Sequence, residues 1–314
     1  MELASTKLHR GKRRQRFFLL IITLLVCWWI YRLIQPKEPT IISPLPDVEV
    51  KATSHVIIPF FTKKRDAEDL TDKINELIGD SWDNYSVVVD GISEPLKVEI
   101  SETEIFTGAS VNKVPILAAL YYFAQKGDID LDQVITLQAN EIQDYGTGSI
   151  RYDPPGTTYS LKTLARLMMK QSDNTAAYIL ATEIIGFERL SQVLELWGLS
   201  QTDMVNNKTS NKDMSILMRK IYEEKVTNHA QTLEMLSFMK DTDFEKRLPD
   251  KLPKDVTVYH KIGTEVRTLH DVGIVTDGKL TYYIGIFTTD VDDDPTTEEL
   301  MAKISKLVYD YLKS

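Results

Sequence analysis

The sequence predicts an α+β fold in which strands from both ends of one large domain share a sheet and a helical lobe is inserted between them. Three observations carry this prediction. Short apolar runs at 85–90 (YSVVVD) and 96–100, on either side of Gly91, read as a strand pair. Three further strand-like runs, 256–262, 272–276 and 280–288, stand near the other end of the chain, and the stretch between the two groups is rich in helical spacing. Neither group of strands suffices alone, so they must pair, and the interposed helices then face the sheet across a cleft.

In chain order, residues 1–16 form a basic tail (KLHRGKRRQR at 7–16), and 17–34 (FFLLIITLLVCWWIYRLI) an apolar stretch interrupted only by Thr23 and Arg32. Its length is just enough to span a bilayer. Arg32 lies one turn from the outer end, where its stem can reach the interface, and Trp28, Trp29 and Tyr31 suit the headgroup region. No small-x-small cleavage site precedes Gln35, and Val26 before Cys27 fits a lipidation site poorly. The segment therefore reads as an uncleaved single-pass anchor in the cell membrane, with the N-terminus cytoplasmic and the remainder outside. Residues 35–60, with Pro36, Pro39, Pro44, Pro46 and Pro59, read as a tether. The domain proper is 61–314, with a sheet lobe at 61–105 and 250–314 and a helical lobe at 106–249.

Within that domain, 66–78 is spaced as a helix. Helical spacing recurs over 111–126, 160–170, 175–185, 187–197, 211–224 and 231–240, punctuated by Gly127, Gly186 and Gly198. The Met-rich 167–169 takes core positions by spacing. Asp277-Gly278 marks a hairpin turn between the last two strands, and 295–312 closes the chain as a helix.

A chain of 314 residues with 43% hydrophobic content can bury a substantial core. Its one cysteine, Cys27, precludes an intrachain disulfide. Nine basic and four acidic residues precede position 61, leaving 28 basic against 42 acidic beyond it, a net charge of −14. So acidic a body is a poor nucleic-acid binder. Asp290, Asp292, Asp293 and Asp294 lack the complete pattern of a calcium loop, and Asp294-Pro295 starts a helix, so no metal or cofactor is expected.

Three strings stand in one order: Ser110-Val-Asn-Lys113, Ser172-Asp-Asn174 and Lys261-Ile-Gly-Thr264. A second Ser-x-x-Lys, Ser237-Phe-Met-Lys240, has no such company. With Thr107-Gly-Ala-Ser110-Val-Asn-Lys113-Val-Pro115, Gly146-Thr-Gly-Ser149, Gly156-Thr-Thr-Tyr-Ser-Leu161, Ser172-Asp-Asn-Thr-Ala-Ala177, Leu252-Pro253 and His260-Lys-Ile-Gly263, the chain from about residue 61 onward resembles the class A β-lactamase family. The resemblance implies a β-lactamase/transpeptidase-like fold: a five-stranded antiparallel sheet with flanking helices and an all-helical lobe, the site lying between. It implies a β-lactam or a cell-wall peptide as substrate.

The chemistry of the residues agrees. A serine hydroxyl is a weak nucleophile until a base takes its proton, and Lys113 lies one helical turn from Ser110. Burial and a second cation, Lys261, would lower the Lys113 pKa toward neutrality. Ser172 is placed to relay the proton to a leaving nitrogen and Asn174 to hold a substrate amide, while Asp173 caps the helix that follows. Lys261 attracts a substrate carboxylate. Family geometry would make the N–H groups of Thr264, just beyond Gly263, and Ser110 an oxyanion hole. His260, His270 and Arg267 flank this strand and read as edge-strand polar residues that could assist carboxylate binding.

Two departures stand out. Ile262 replaces the family's hydroxyl residue after the strand lysine, with Thr264 as partial substitute. The segment 199–210 (LSQTDMVNNKTS) is much shorter than the family's loop and contains no glutamate. In the family that loop supplies the Glu and Asn that position the deacylating water; a direct equivalent is absent, and Asp203 is at most a stand-in. The expected protein is thus a membrane-anchored, extracytoplasmic serine hydrolase acting on β-lactams through an acyl-enzyme, with a monomeric catalytic domain. The alternatives are a D-Ala-D-Ala carboxypeptidase or penicillin-binding protein, and a sensor domain without turnover.

Overall fold

The computed structural model describes residues 65–314. The expected tail (1–16), anchor (17–34) and tether (35–60) all lie outside the described residues. Among those described, no helix is long and apolar enough to cross a membrane.

Five strands form one antiparallel sheet in the order β2-β1-β9-β8-β7: β1 Asn84–Gly91, β2 Lys97–Ile100, β7 Thr257–Glu265, β8 Thr268–Thr276 and β9 Thr281–Thr289. The first two strands of the domain join the last three through β1 and β9, with Asn84 opposite Thr289 and Gly91 opposite Tyr282. The predicted α+β class with strands shared between both ends is therefore the observed one. Burial on β1 explains why the sheet is sandwiched. Val87 and Val89 join one core with the helices α1 (Ala67–Ile78) and α8 (Asp294–Lys313), while Val88, one residue out of phase, joins the core of the inserted segment.

The insertion contains α2 (Lys113–Gln125), α3 (Leu161–Lys170), α4 (Asn174–Tyr178) running into a π-helical turn (Ile179–Ile185), α5 (Phe187–Leu196), α6 (Asn211–Tyr222) and α7 (His229–Phe238). Sequence spacing had 175–185 as one α-helix; the change to π-helix ends at Gly186, whose φ of +81° only glycine adopts freely. Helix α2 is buried from Lys113 to Tyr121, because the other helices surround it. Caps are local: Ser160 accepts from the N–H of Thr163, Asp173 from Ala176, Ser210 from Asp213 and Asn228 from Gln231.

Strand β8 begins four residues earlier than the run 272–276 predicts. Leu269-His270-Asp271 reads as polar, yet His270 and Asp271 are fully buried and partnered. Two small sheets of three-residue strands are additional: β3 (Ile105–Thr107) with β6 (Lys208–Ser210), and β4 (Val134–Thr136) with β5 (Thr158–Ser160). The first ties the segment leading to Ser110 onto the short 199–210 loop.

Candidate active site

Ser110 lies in a 3-10 turn, Ala109–Asn112, that feeds directly into α2, and its carbonyl accepts the N–H of Lys113. Ala109 holds a φ of +45°, so the entry to the turn is strained. The turn packs on β7 and β8. Gly263 permits that approach: a Cβ there would stand 3.1 Å from the carbonyl oxygen of Gly108, 3.2 Å from Val111 Cγ1 and 3.3 Å from His270 Cδ2.

Lys113, Ser172, Asn174 and Lys261 meet. Lys113 Nζ donates to the carbonyl of Ser172 at 2.5 Å, to Ser172 Oγ at 3.1 Å and to Asn174 Oδ1 at 2.7 Å. Lys261 Nζ donates to Ser172 Oγ at 3.0 Å and to the carbonyl of Ile262 at 3.0 Å. Ser172 itself is strained, with φ at +54°, and Thr147 Oγ1 fixes its carbonyl at 2.9 Å. Asp173 faces away from the lysines' acceptors: Oδ1 takes the N–H of Ala176 and Oδ2 that of Ile150, which is the capping role the sequence assigns it. Gly146 and Gly148 leave room for this string, since a Cβ at either would meet the Asn174 amide or the Asp173 carboxylate within 2.3 Å.

Both lysines are buried, and burial of a charge disfavours it. Lys113 is lowered from 10.5 to about 7 by desolvation, with Asp173 opposing. Lys261 is lowered well below its ordinary value, by desolvation first and then by the charge of Lys113.

The open side of the sheet is the edge of β7. The N–H of His260 points away from β8, donating to the Met239 carbonyl at 2.6 Å, and the Ile262 carbonyl on the same side receives Lys261. Two residues on, the alternation puts the N–H of Thr264 on that edge too.

A model of the β-lactamase enzyme family matches residues 69–312. The chain belongs to this family. β-Lactamase VEB-1 of Pseudomonas aeruginosa is 24% identical over 80% of this chain and 94% of its own, and a β-lactamase of Bacteroides uniformis is 25% identical over 65% and 78%. Among solved structures, PBP-A aligns with a TM-score of 0.72 at 26% identity, covering 78% of this chain and 96% of its own. A β-lactamase from Chitinophaga pinensis aligns with 0.73 at 25% identity, over 78% and 99%. The chain is a β-lactamase-like serine hydrolase with the β-lactamase/transpeptidase-like fold.

Three flanking residues take places that the sequence reading did not give them. His260 stands on the edge strand β7 but is buried, and His270 stands on the interior strand β8. His260 is buried between Asp271 (Nδ1 to Oδ1, 3.0 Å) and Glu245 (Nε2 to Oε1, 3.2 Å). Burial pulls its pKa down, but the two carboxylates outweigh burial and lift it to about 9. His270 faces the Thr107 carbonyl through Nε2 at 2.8 Å, and burial lowers it to about 4. Arg267 is exposed and pairs with Asp292 at 2.8 Å and the Asp290 carbonyl at 2.9 Å. Asp203, the stand-in for the family glutamate, turns its carboxylate onto the N–H groups of Val205 and Asn206 in its own loop.

Arg247 is the site residue that sequence reasoning missed. It is 3% exposed and donates to the carbonyls of Gly263 and His270, at 2.9 and 2.7 Å, and to Thr264 Oγ1 at 2.7 Å. It sits in an irregular stretch before β7, where no periodicity marks it. The second Ser-x-x-Lys is inert by placement: Ser237 is exposed and donates to the Glu234 carbonyl.

Proposed function

We propose that this protein is a membrane-anchored, extracytoplasmic enzyme that opens β-lactams through an acyl-enzyme on Ser110. The observation that supports it is the meeting of Lys113, Lys261 and Asn174 around Ser172 beside the Ser110 turn. Lys113, held near neutrality, takes the Ser110 proton as the hydroxyl attacks the carbonyl. Ser172 Oγ, bonded to both lysines, passes a proton to the leaving nitrogen. The N–H groups of Ser110 and Thr264 stabilise the oxyanion, such donors being worth about 3 to 4 kcal/mol each in the barrier. Asn174 orients the substrate amide, and Lys261 with Thr264, whose hydroxyl oxygen already accepts from Arg247, receives the carboxylate that Ile262 cannot. The anchor and the outward orientation rest on residues 1–34.

A second reading, a cell-wall D-alanyl peptidase that releases β-lactams slowly, is favoured by the engagement of Asp173 and Asp203 elsewhere, and by the likeness to PBP-A. A PBP-A variant is known as an acyl-enzyme complex with penicillin G. The test treats the purified full chain with a chromogenic cephalosporin and a fluorescent penicillin. Turnover supports hydrolysis. A stable adduct on Ser110 supports the second reading or a sensor, which cleavage of a D-Ala-D-Ala peptide separates. If neither reagent reacts, or if Ser110→Ala reacts equally, the acyl-enzyme reading fails.

A further inference from the structure

Ser110 follows a residue with a strained backbone, Ala109 at φ +45°, and such a conformation persists only where the surroundings hold it. The short 199–210 loop supplies that hold through one residue, Asn207. Asp203 and Lys208 exchange both backbone hydrogen bonds at 2.8 Å, so 203–208 closes as a tight hairpin, and the Asp203 carboxylate takes the N–H groups of Val205 and Asn206 inside it at 2.9 and 3.0 Å. Lys208 pairs with Thr107 in the β3–β6 ladder, and its Nζ donates to Thr107 Oγ1 at 2.7 Å. One step along the ladder, the Asn207 carbonyl accepts the N–H of Gly108 at 2.7 Å, while Asn207 Oδ1 accepts Asn112 Nδ2 at 2.8 Å. Gly108 and Asn112 stand two residues before and two residues after Ser110. A φ of +52°, which asparagine tolerates better than most residues, lets Asn207 hold both. Asn112 is 4% exposed and lies against Gly108, where a Cβ would meet its amide atoms at 2.3 to 2.7 Å, so the two ends of the turn are also packed on each other.

We propose that Asn207 is a positioning residue for acylation: by bonding Gly108 and Asn112 at once, it holds the Ser110 turn in the geometry from which the hydroxyl attacks. This rests on the acyl-enzyme reading above. Ser110 Oγ must meet the substrate carbonyl while the Ser110 N–H faces the developing oxyanion, and the same short stretch between Gly108 and Asn112 sets both directions. A turn released at its far end lets Ala109 relax toward an ordinary φ, which rotates the Ser110 N–H and Oγ together. Misplacing reacting groups by about an ångström costs on the order of 10²-fold. Asn207 touches no reacting atom and acts only through the turn. The loop that brings no glutamate to the site thus has a role of its own, in forming the acyl-enzyme.

The experiment mixes the full chain in detergent with fluorescent penicillin and measures the second-order rate of adduct formation on Ser110, the final adduct by mass counting the molecules able to react. Asn207→Gly suits the φ and keeps the backbone carbonyl but loses the bond to Asn112, and it slows adduct formation at least tenfold while the final adduct matches wild type. Asn207→Asp keeps an oxygen for Asn112 Nδ2 and reacts within threefold of wild type. Asn112→Ala slows the reaction as Asn207→Gly does, and adding Asn207→Gly to it costs less than twofold more, because the bond is already gone. Loss of bulk at two independent places would instead multiply. A rate within threefold of wild type in Asn207→Gly, an Asn207→Asp as slow as Asn207→Gly, or effects that multiply in the double variant each overturn the proposal. Should Asn112→Ala not fold, the two Asn207 variants decide it alone. A wild-type chain that never carries an adduct on Ser110 overturns the acyl-enzyme reading and this proposal together; an adduct whose rate of formation ignores Asn207 overturns this proposal alone.

Discussion

Lys113 and Lys261 donate to one and the same oxygen, Ser172 Oγ, from 3.1 and 3.0 Å. Two ammonium groups so close repel each other in a buried setting, and the charge of Lys113 depresses the proton affinity of Lys261. The hydroxyl between them is therefore a proton exchange point. An anionic substrate beside Lys261 would return charge to it and leave Lys113 as the neutral member.

Ser172→Ala removes that shared oxygen while keeping a backbone no more strained than before, since alanine and serine face a similar penalty at φ +54°. The second-order rate of adduct formation with a fluorescent penicillin should fall by about 10²- to 10⁴-fold, the usual worth of a positioned proton-transfer group. Melting should change little by comparison. A fall of less than threefold would show that protons bypass Ser172.

The acylation rate should rise with pH through an apparent pKa near 7 and level off above it, because only the neutral form of Lys113 can accept the Ser110 proton and burial brings its pKa to about 7. As an ammonium, Lys113 commits its three N–H donors to Ser172 O, Ser172 Oγ and Asn174 Oδ1. Losing one proton frees a lone pair. A rate unchanged between pH 5.5 and 9 would rule Lys113 out as the base.

The same shift has a stability consequence. A lysine lowered from 10.5 to about 7 binds its proton less well folded than unfolded, so it destabilises the fold below pH 7, and that penalty fades as pH rises toward 10.5. The full penalty is on the order of 5 kcal/mol, each pKa unit being worth about 1.4 kcal/mol. Lys113→Met leaves acceptors unpaired, which subtracts a constant amount. The difference in Tm, variant minus wild type, should therefore be most positive near pH 6 and decline by pH 10. A difference independent of pH would mean that Lys113 titrates normally.

How much of this was legible in the sequence depended on whether a residue's role is local. Ser110, Lys113, Ser172, Asn174 and Lys261 announce themselves in short strings whose internal spacing already fixes their geometry. The strands 85–90 and 280–288 were legible because valine, isoleucine and tyrosine dominate them. The first half of β8 was not, since His270 and Asp271 are buried polar groups whose partners, Thr107, Leu248 and His260, all lie outside the strand. Arg247 was hidden for the same reason. It acts from an irregular segment on backbone carbonyls of β7 and β8, and no pattern within that segment records the target.

Gly263→Ala tests how closely the Ser110 turn must sit on β7. The new Cβ would stand 3.1 Å from the Gly108 carbonyl oxygen, which is backbone, and 3.2 Å from Val111 Cγ1, a buried side chain, a few tenths of an ångström too close to both. The turn must retreat. Displacing the donors of an oxyanion hole by a fraction of an ångström weakens them, so acylation should slow by about tenfold or more, with only a modest fall in Tm. Unchanged acylation would indicate that the Thr264 and Ser110 N–H groups do not act together.

The buried imidazolium of His260 gives a prediction of opposite sign to that for Lys113. Its pKa is lifted from 6.5 to about 9, chiefly because Asp271 and Glu245 outweigh the cost of burial, and Glu245 is lowered to about 2 in return. The folded state thus holds this proton more tightly than the unfolded one, and the stabilisation is fully present below pH 6.5 and lost as pH rises through 9. His260→Gln leaves Asp271, which is fully buried, without its positive partner. Breaking a buried pair in this way costs about 3–5 kcal/mol. The loss of Tm in the variant should be constant up to about pH 6.5 and shrink toward pH 10, where wild-type His260 is itself neutral. Because Glu245 and Asp271 also anchor the segment carrying Arg247, through His260 and the Leu248 N–H, the variant should bind a carboxylate-bearing penicillin more weakly at pH 7. A loss of stability equal at pH 6 and pH 10 would show that His260 is neutral in the fold and that the two carboxylates are held by other means.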